Sequence, residues 1–282
     1  MTAAGTAAGA GDIWVPSEVA KRTVTAIALA VPAAAAVILG PPYLTVFVGA
    51  IVAVMTWEWV HVTGAQQFGA TGATMAALLI AAVVAAAFGR FYWAYGIVAA
   101  AVPSVFAVAR FHSREHALAM AAGAAYIGVP ALSLLWLYAR PEIGRELVIW
   151  LICIVIACDV GAYFVGRTLR GPKLAPRISP GKTWSGAVGG ATAAVAVGIA
   201  LGLALGLGRP LVLAAAALAF AVISEMGDLF ESGVKRTYRV KDASGILPGH
   251  GGMMDRVDGI VAALVAAAAA IWLAGGDPRS WL

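Results

Sequence analysis

Charge is scarce in this sequence. Asp, Glu, Lys and Arg fill 12% of the 282 positions, where an average soluble domain has about 25%, and mean hydropathy is +0.90. A water-soluble globule is thereby excluded and a membrane protein expected. Cysteine is nearly absent. Cys153 and Cys158 sit five apart in one apolar run, so on a helix they point in different directions and no disulfide is expected between them. No Ser-His-Asp or Cys-His arrangement stands out. No P-loop is complete either: Gly181-Lys182-Thr183 ends like one, but the glycine required five residues earlier is Pro176. Nor does one half of the sequence repeat the other, as ion-coupled transporters often do.

What is present is a series of nine apolar runs, each of the length (about 17 to 25 residues) that crosses a hydrocarbon core as a helix. They lie at 23–40, 43–60, 73–89, 91–109, 117–138, 146–166, 184–207, 210–230 and 256–274. Gly40-Pro41-Pro42 alone separates the first two and Gly89-Arg90 the third and fourth, which makes those breaks tight hairpins. With a cytoplasmic N-terminus, fourteen of the 19 Lys and Arg fall inside, and Arg90, Arg140, Arg145, Arg209 and Arg279 fall outside. Cytoplasmic loops retain basic residues. The expected fold is therefore an all-α polytopic integral membrane protein of about nine transmembrane helices, N-terminus inside, in the cytoplasmic (inner) membrane. Tryptophans near the span ends, Trp14 and Trp281 among them, suit the interface. The first eleven residues are low-complexity and expected to be disordered. Asp12 and Glu18 argue against reading Lys21-Arg22 and the Ala-rich run after them as a cleavable signal.

Three regions follow. Residues 1–22 form a cytoplasmic tail, 23–145 a transmembrane scaffold, and 146–282 a C-terminal region that carries the chemistry in cytoplasmic loops 167–183 and 231–255. Downstream of the first loop, Gly186, Gly190, Gly198, Gly202 and Gly206 recur at small-xxx-small spacing, the pattern of closely packed membrane helices.

Charge inside apolar spans is costly, about 2.5 to 3.5 kcal/mol per residue near a helix centre, so intramembrane carboxylates are candidates for function. Glu58, flanked by Trp57 and Trp59, is expected in water at the interface. Asp159 is either a packing polar group or part of a substrate site. Glu225 and Asp228 share a helix face at the end of the eighth run, and Asp255 and Asp258 repeat the spacing at the start of the ninth. Two antiparallel helices can bring both pairs to one depth, and converging carboxylates with room for water and phosphate suit Mg²⁺. Between them lies "VKRTYRVKDASGILPGHGGMMDRVD", with five basic residues and five Gly or Pro in 25 positions. Lys235, Arg236, Lys241 and Arg256 can neutralise polyphosphate. Glycines 245, 249, 251 and 252 break helices and let backbone N–H groups approach an anion. His250 is a general base or a hydrogen-bond donor that binds phosphate. Pro180 before Gly-Lys-Thr-Trp suggests a rigid turn that delivers Lys182 to the interface.

The C-terminal stretch resembles the phosphatidate cytidylyltransferases, also called CDP-diglyceride synthetases. Ser232, Val234, Lys235, Arg236, Lys241, Asp242, Pro248, Gly249, His250, Gly251, Gly252, Asp255, Arg256 and Asp258 match that family's signature without a gap. "CDVGAYFVGR", "ISPGKTW" and "GDLFES" are similar to its other segments. Relatives commonly carry Glu where this chain has Ser185. The resemblance implies transfer of a cytidylyl group from CTP to phosphatidic acid, giving CDP-diacylglycerol and pyrophosphate, by a homodimer whose site opens to cytoplasm and lipid. It implies Mg²⁺ at Asp228 and Asp255, with a monovalent cation such as K⁺ nearby. Asp242 and Asp258 would be further ligands or neighbours of the ligands. Lys182, Ser232, Gly249, Gly251, Gly252 and Asp159 are the remaining candidates for substrate binding. No nucleic-acid partner is expected. A CTP-dependent polyprenol or phytol kinase, or an ion-coupled transporter, would use some of the same equipment.

Overall fold

In a computed structural model of the chain, the structure describes residues 18–63, 68–112, 114–249 and 251–277, with side chains from Thr23 onward. Most of the tail expected over 1–22, the side chains of Lys21 and Arg22, and Trp14, His250, Arg279 and Trp281 lie outside the described residues.

The described chain forms nine α-helices: α1 (Glu18–Leu39), α2 (Tyr43–Val62), α3 (Gly69–Ala87), α4 (Phe91–His112), α5 (Ala117–Tyr138), α6 (Gly144–Leu169), α7 (Trp184–Ala204), α8 (Pro210–Thr237) and α9 (Met254–Leu273). A two-stranded antiparallel hairpin, β1 (Lys173–Ala175) and β2 (Ser179–Thr183), links α6 to α7. Eight helices are long and apolar enough to cross a membrane, and the apolar part of α1, Thr23–Leu39, is shorter. The nine expected runs thus each become a helix, eight of which meet the length and composition of a span. Both cysteines are free.

The hairpin breaks fall where the sequence places them. Gly40 (φ +70°) ends α1 and Gly89 (φ +72°) ends α3, left-handed positions that suit glycine. The two polar loops are shorter than expected. α6 runs on through Leu169 and α8 through Thr237, so residues 167–169 and 231–237 are helical. A helix that leaves the hydrocarbon can continue with charged side chains, and Lys235 and Arg236 in the last turn of α8 favour its negative dipole end.

Two seams fix the depth of the polar ends. Along α7 the buried residues are Gly186, Gly190, Ala194, Gly198 and Gly202, one every fourth position against α6. A Cβ at Gly190 would lie 2.6 Å from the Cys158 carbonyl oxygen, and one at Gly161 would lie 3.0 Å from the Gly189 carbonyl oxygen. The backbones themselves are in contact, as small residues permit in membranes. Gly206 departs from the expected stripe. It lies past the end of α7 at φ +68°, where Gly206 N–H donates to Leu203 O (3.1 Å) and Leu207 N–H to Gly202 O (2.9 Å), closing the helix as a glycine cap does. The second seam joins α8 to α9, where a Cβ at Gly227 would lie 2.6 Å from Ala262 Cβ and 2.9 Å from the Asp258 carbonyl oxygen.

Candidate active site

The β-hairpin leads into α7 through Thr183, whose Oγ1 accepts from Gly186 N–H (3.1 Å) and caps the helix. One residue earlier, Lys182 points at α8. Its Nζ is 2.7 Å from Glu225 Oε2 and 2.7 Å from Asp228 Oδ2. Burial pulls the Lys182 pKa down, but Asp228 and Glu225 outweigh it and hold the pKa above the ordinary lysine value. Instead of the expected rigid turn, Pro180, Gly181 and Lys182 lie in strand β2, and the strand directs Lys182 to the protein's own carboxylates.

Asp228, Glu231 and Lys235 follow at i, i+3 and i+7, one stripe of α8. Ser232 Oγ lies 3.3 Å from Asp228 Oδ1. Lys235 is 7% exposed and Glu231 fully buried. The Lys235 ammonium is 2.6 Å from Glu231 Oε2 and also pairs with Asp255 on α9. Asp255 is further held by two backbone donors, Ala243 N–H (2.9 Å) and Gly252 N–H (2.7 Å), both on Oδ2. Asp258, one turn along α9, accepts from Gly259 N–H (2.8 Å). The expected convergence of the two acidic pairs is met in part, with Asp228 within electrostatic range of Asp258 and two lysines pairing with these carboxylates. Of the first pair, Asp228 belongs to the cluster with α9, while Glu225 is turned to Lys182.

Other predicted residues are placed differently. Arg236 donates to the backbone carbonyls of Ile178 (3.3 Å) and Val240 (3.0 Å), tying the hairpin to the end of α8. Lys241, Asp242, Gly249 and Arg256 are exposed on the loop or the first turn of α9. Asp159 is exposed on α6, within electrostatic range of Asp228, Glu225 and Lys182. Gly249 and Gly251 take positive φ, +77° and +80°. The expectation that the glycines face substrate anion needs correction at Gly251 and Gly252. A Cβ at Gly251 would lie 2.7 Å from Asp255 Oδ2, and one at Gly252 would lie 2.5 Å from Glu58 Oε1. They make room for the protein's own carboxylates. His250 lies outside the described residues.

Three residues were missed. Glu231 carried a readable signal, the i, i+3, i+7 stripe with Asp228 and Lys235, hidden by ending the eighth span at Phe230. Tyr126 of α5 has a buried hydroxyl with no hydrogen-bond partner among the described residues, within electrostatic range of Glu231, Asp258, Asp228 and Asp255. Glu58 is the third. It is fully buried rather than in water at the interface, and accepts from Ser244 Oγ (2.6 Å), Met253 N–H (2.7 Å) and Met254 N–H (2.8 Å).

Below the carboxylates, a cavity of about 590 Å³ runs between α5, α8 and α9, lined by Tyr126, Met226, Phe230, Val261 and Ala266 among others, with Asp258 at its polar end. A volume in the range of ligand pockets, roughly 300 to 1,000 Å³, thus joins an apolar groove to a charged cluster.

Residues 20–274 match the cytidylyltransferase family. A phosphatidate cytidylyltransferase of Pseudomonas aeruginosa is 41% identical over 246 residues, covering 83% of this chain and 89% of that protein. The chain belongs to the cytidylyltransferase family. A phosphatidate cytidylyltransferase of Brucella suis biovar 1 is 45% identical over 155 residues, spanning 55% of this chain and 56% of the relative. One from Mycobacterium bovis is 39% identical over 127 residues, 45% of this chain and 42% of that protein. Against the Brucella and Mycobacterium proteins, the similarity spans about half of each relative's length. The family match takes in all but the first two residues of α1 and the whole of α2 to α9, so it includes the carboxylate cluster.

Proposed function

We propose that the protein transfers the cytidylyl group of CTP to the phosphate of phosphatidic acid. A lipid phosphate oxygen attacks the α-phosphorus, the bond from that phosphorus to the bridging oxygen breaks, and pyrophosphate leaves with the electron pair. CDP-diacylglycerol remains in the membrane. The observation that carries this reading is the contact between a lysine–carboxylate cluster and an apolar cavity at one membrane depth. A soluble nucleotide and a lipid headgroup both have a place there. The attacking phosphate monoester has a second pKa of about 6 and is largely dianionic at neutral pH, so no strong base is required. The difficulty is the meeting of two anions, and Lys182 and Lys235 supply the positive charge at the meeting point.

The donor set fits Mg²⁺. Asp228, Glu231, Asp255 and Asp258 are hard oxygen donors, and both carboxylate oxygens of buried Glu231 lack a well-formed hydrogen bond, with the Lys235 ammonium the group beside them. Among the described residues no three acidic, His or Cys side chains are grouped closely enough to hold an ion alone, so phosphate oxygens and water would complete the shell. Asp228 and Asp255 would hold the ion, whose chemistry is to neutralise the triphosphate and the departing pyrophosphate. Lys182 and Lys235 would then turn from these carboxylates to substrate oxygens. A monovalent companion such as K⁺, a homodimer, a cytoplasmic N-terminus and a site facing the cytoplasm belong to the same proposal. The fourteen-to-five distribution of basic residues supports the orientation.

The test is to supply the purified protein with CTP, Mg²⁺ and either phosphatidic acid or a polyprenol, and to identify the released nucleotide products. Pyrophosphate with CDP-diacylglycerol is expected. CDP release, or no reaction with phosphatidic acid, overturns the proposal.

A further inference from the structure

Glu58 has no part in the chemistry above, yet its burial and partners connect it to the site. It stands on α2, in the half of the chain that the sequence reads as scaffold. Its neighbour Trp59 locks that helix in place by donating from Nε1 to the Ala119 carbonyl of α5 (2.8 Å). From this fixed position Glu58 reaches residues about 190 positions away. Oε1 accepts from Ser244 Oγ and Met253 N–H, and Oε2 from Met254 N–H. Met253 is the N-cap of α9 and supplies no side-chain cap of its own, so the first-turn amides that a helix start leaves unsatisfied are met by Glu58. A carboxylate there also faces the positive end of the helix dipole. Gly252 lacks a side chain where Glu58 Oε1 sits.

Asp255 holds the same two segments from the other side, through Ala243 and Gly252. Glu58 grips residues 244, 253 and 254, and Asp255 grips residues 243 and 252. The start of α9 is thus fixed between two carboxylates, one from each half of the protein. With Oδ2 of Asp255 engaged by the loop, Oδ1 is left for Lys235.

We propose that Glu58 is a positioning residue for cytidylyl transfer. By holding the N-terminus of α9 and the loop at Ser244, it sets the direction in which Asp255 presents the oxygen that faces Lys235. Glu58 is fully buried and its three hydrogen bonds all go to the loop and the helix start, which makes it a holder of those segments rather than a group that touches the reacting atoms. The assignment of a reaction rests on the function proposed above; the clamp itself rests on geometry alone.

Glu58→Gln tests it, because the amide keeps the shape but turns an N–H₂ toward a backbone N–H. In the detergent-purified full chain, kcat should fall about 10- to 100-fold, and the Mg²⁺ needed for half-maximal rate should rise about tenfold, the scale for losing a partner that orients a ligand. KM for CTP should stay within about threefold. Deuterium exchange should quicken in peptides covering 243–256 and not in α2 to α5. Glu58→Asp, which keeps the charge on a shorter arm, should recover part of both kcat and Mg²⁺ response, and provides the reading if the glutamine variant does not fold. Unchanged kcat and Mg²⁺ response, or faster exchange spread through α2 to α5, overturns the clamp. A wild-type protein that releases no pyrophosphate would sink the reaction assignment, while the exchange experiment still decides the clamp.

Discussion

Glycine is used in two ways in the two halves of this molecule. In α5, Gly123 and Gly128 are pits for side chains: the Trp59 indole fills the first, and Leu79 Cδ2 and Val98 Cγ2 would stand 2.8 and 2.9 Å from a Cβ at the second. In α6 and α7, Gly161 and Gly190 face carbonyl oxygens of the opposite helix. The first half packs large buried residues such as Leu44, Met75, Leu79 and Met120 around small gaps, and a rotamer change can absorb an error there. The second sets backbone against backbone at Gly161, Gly186 and Gly190, beside other glycines that meet side chains, Gly189 with Val165 and Gly202 with Leu213. The rigid seam lies in the half that carries charge. Carboxylates held at the edge of the hydrocarbon need a fixed depth, and backbone contact gives it where lipid supplies no hydrophobic drive between helices.

Removing the charge this seam supports should have the largest effect. Asp255→Asn and Asp228→Asn should each lower pyrophosphate release by about 100- to 1000-fold, the scale of losing one preorganised electrostatic contact, with the protein still folded and monodisperse. Near wild-type release at saturating Mg²⁺ would make these aspartates structural and leave the two halves alike in function. Next comes the seam. Gly190→Ala should cost about 2 to 3 kcal/mol because the added methyl meets backbone, and Gly128→Ala about 1 kcal/mol because Leu79 and Val98 can move. Thermal unfolding in one detergent measures both, and equal costs would erase the distinction. Smallest is Gly96→Ala on α4, where a Cβ would meet nothing within 4 Å. It should gain about 0.5 kcal/mol from helix propensity.

The sequence made local matters legible. The nine apolar runs, the breaks at Gly40 and Gly89, the Asp255–Asp258 pair and the small-residue stripe are each read within a few turns, and each has its counterpart in the structure. Glu231 went unread because hydropathy ends where the hydrocarbon ends, while the helix continues past it. Glu58 went unread for another reason. A carboxylate between two tryptophans looks the same at a wet interface as under a helix start brought in from 195 positions away. Gly251 and Gly252 signalled close approach to an anion, and the signal was sound, but periodicity cannot say whether that anion is substrate phosphate or the protein's own Asp255 and Glu58.

If the protein acts on a lipid as proposed above, the backbone contact between α6 and α7 also bears on how that lipid would get in and out. In mechanical terms this pair acts as a stator at Gly161, Gly186 and Gly190, where backbone lies against backbone with little between them to yield. Movement that admits an acyl chain must be taken up elsewhere. The cavity between α5, α8 and α9 offers the travel, since Met226, Phe230 and Tyr126 wall it with side chains that can swing. On the function proposed above, a bulky, greasy product would pass among these side chains, beside Asp258 in the same wall, while the backbone contact of α6 with α7 stays closed.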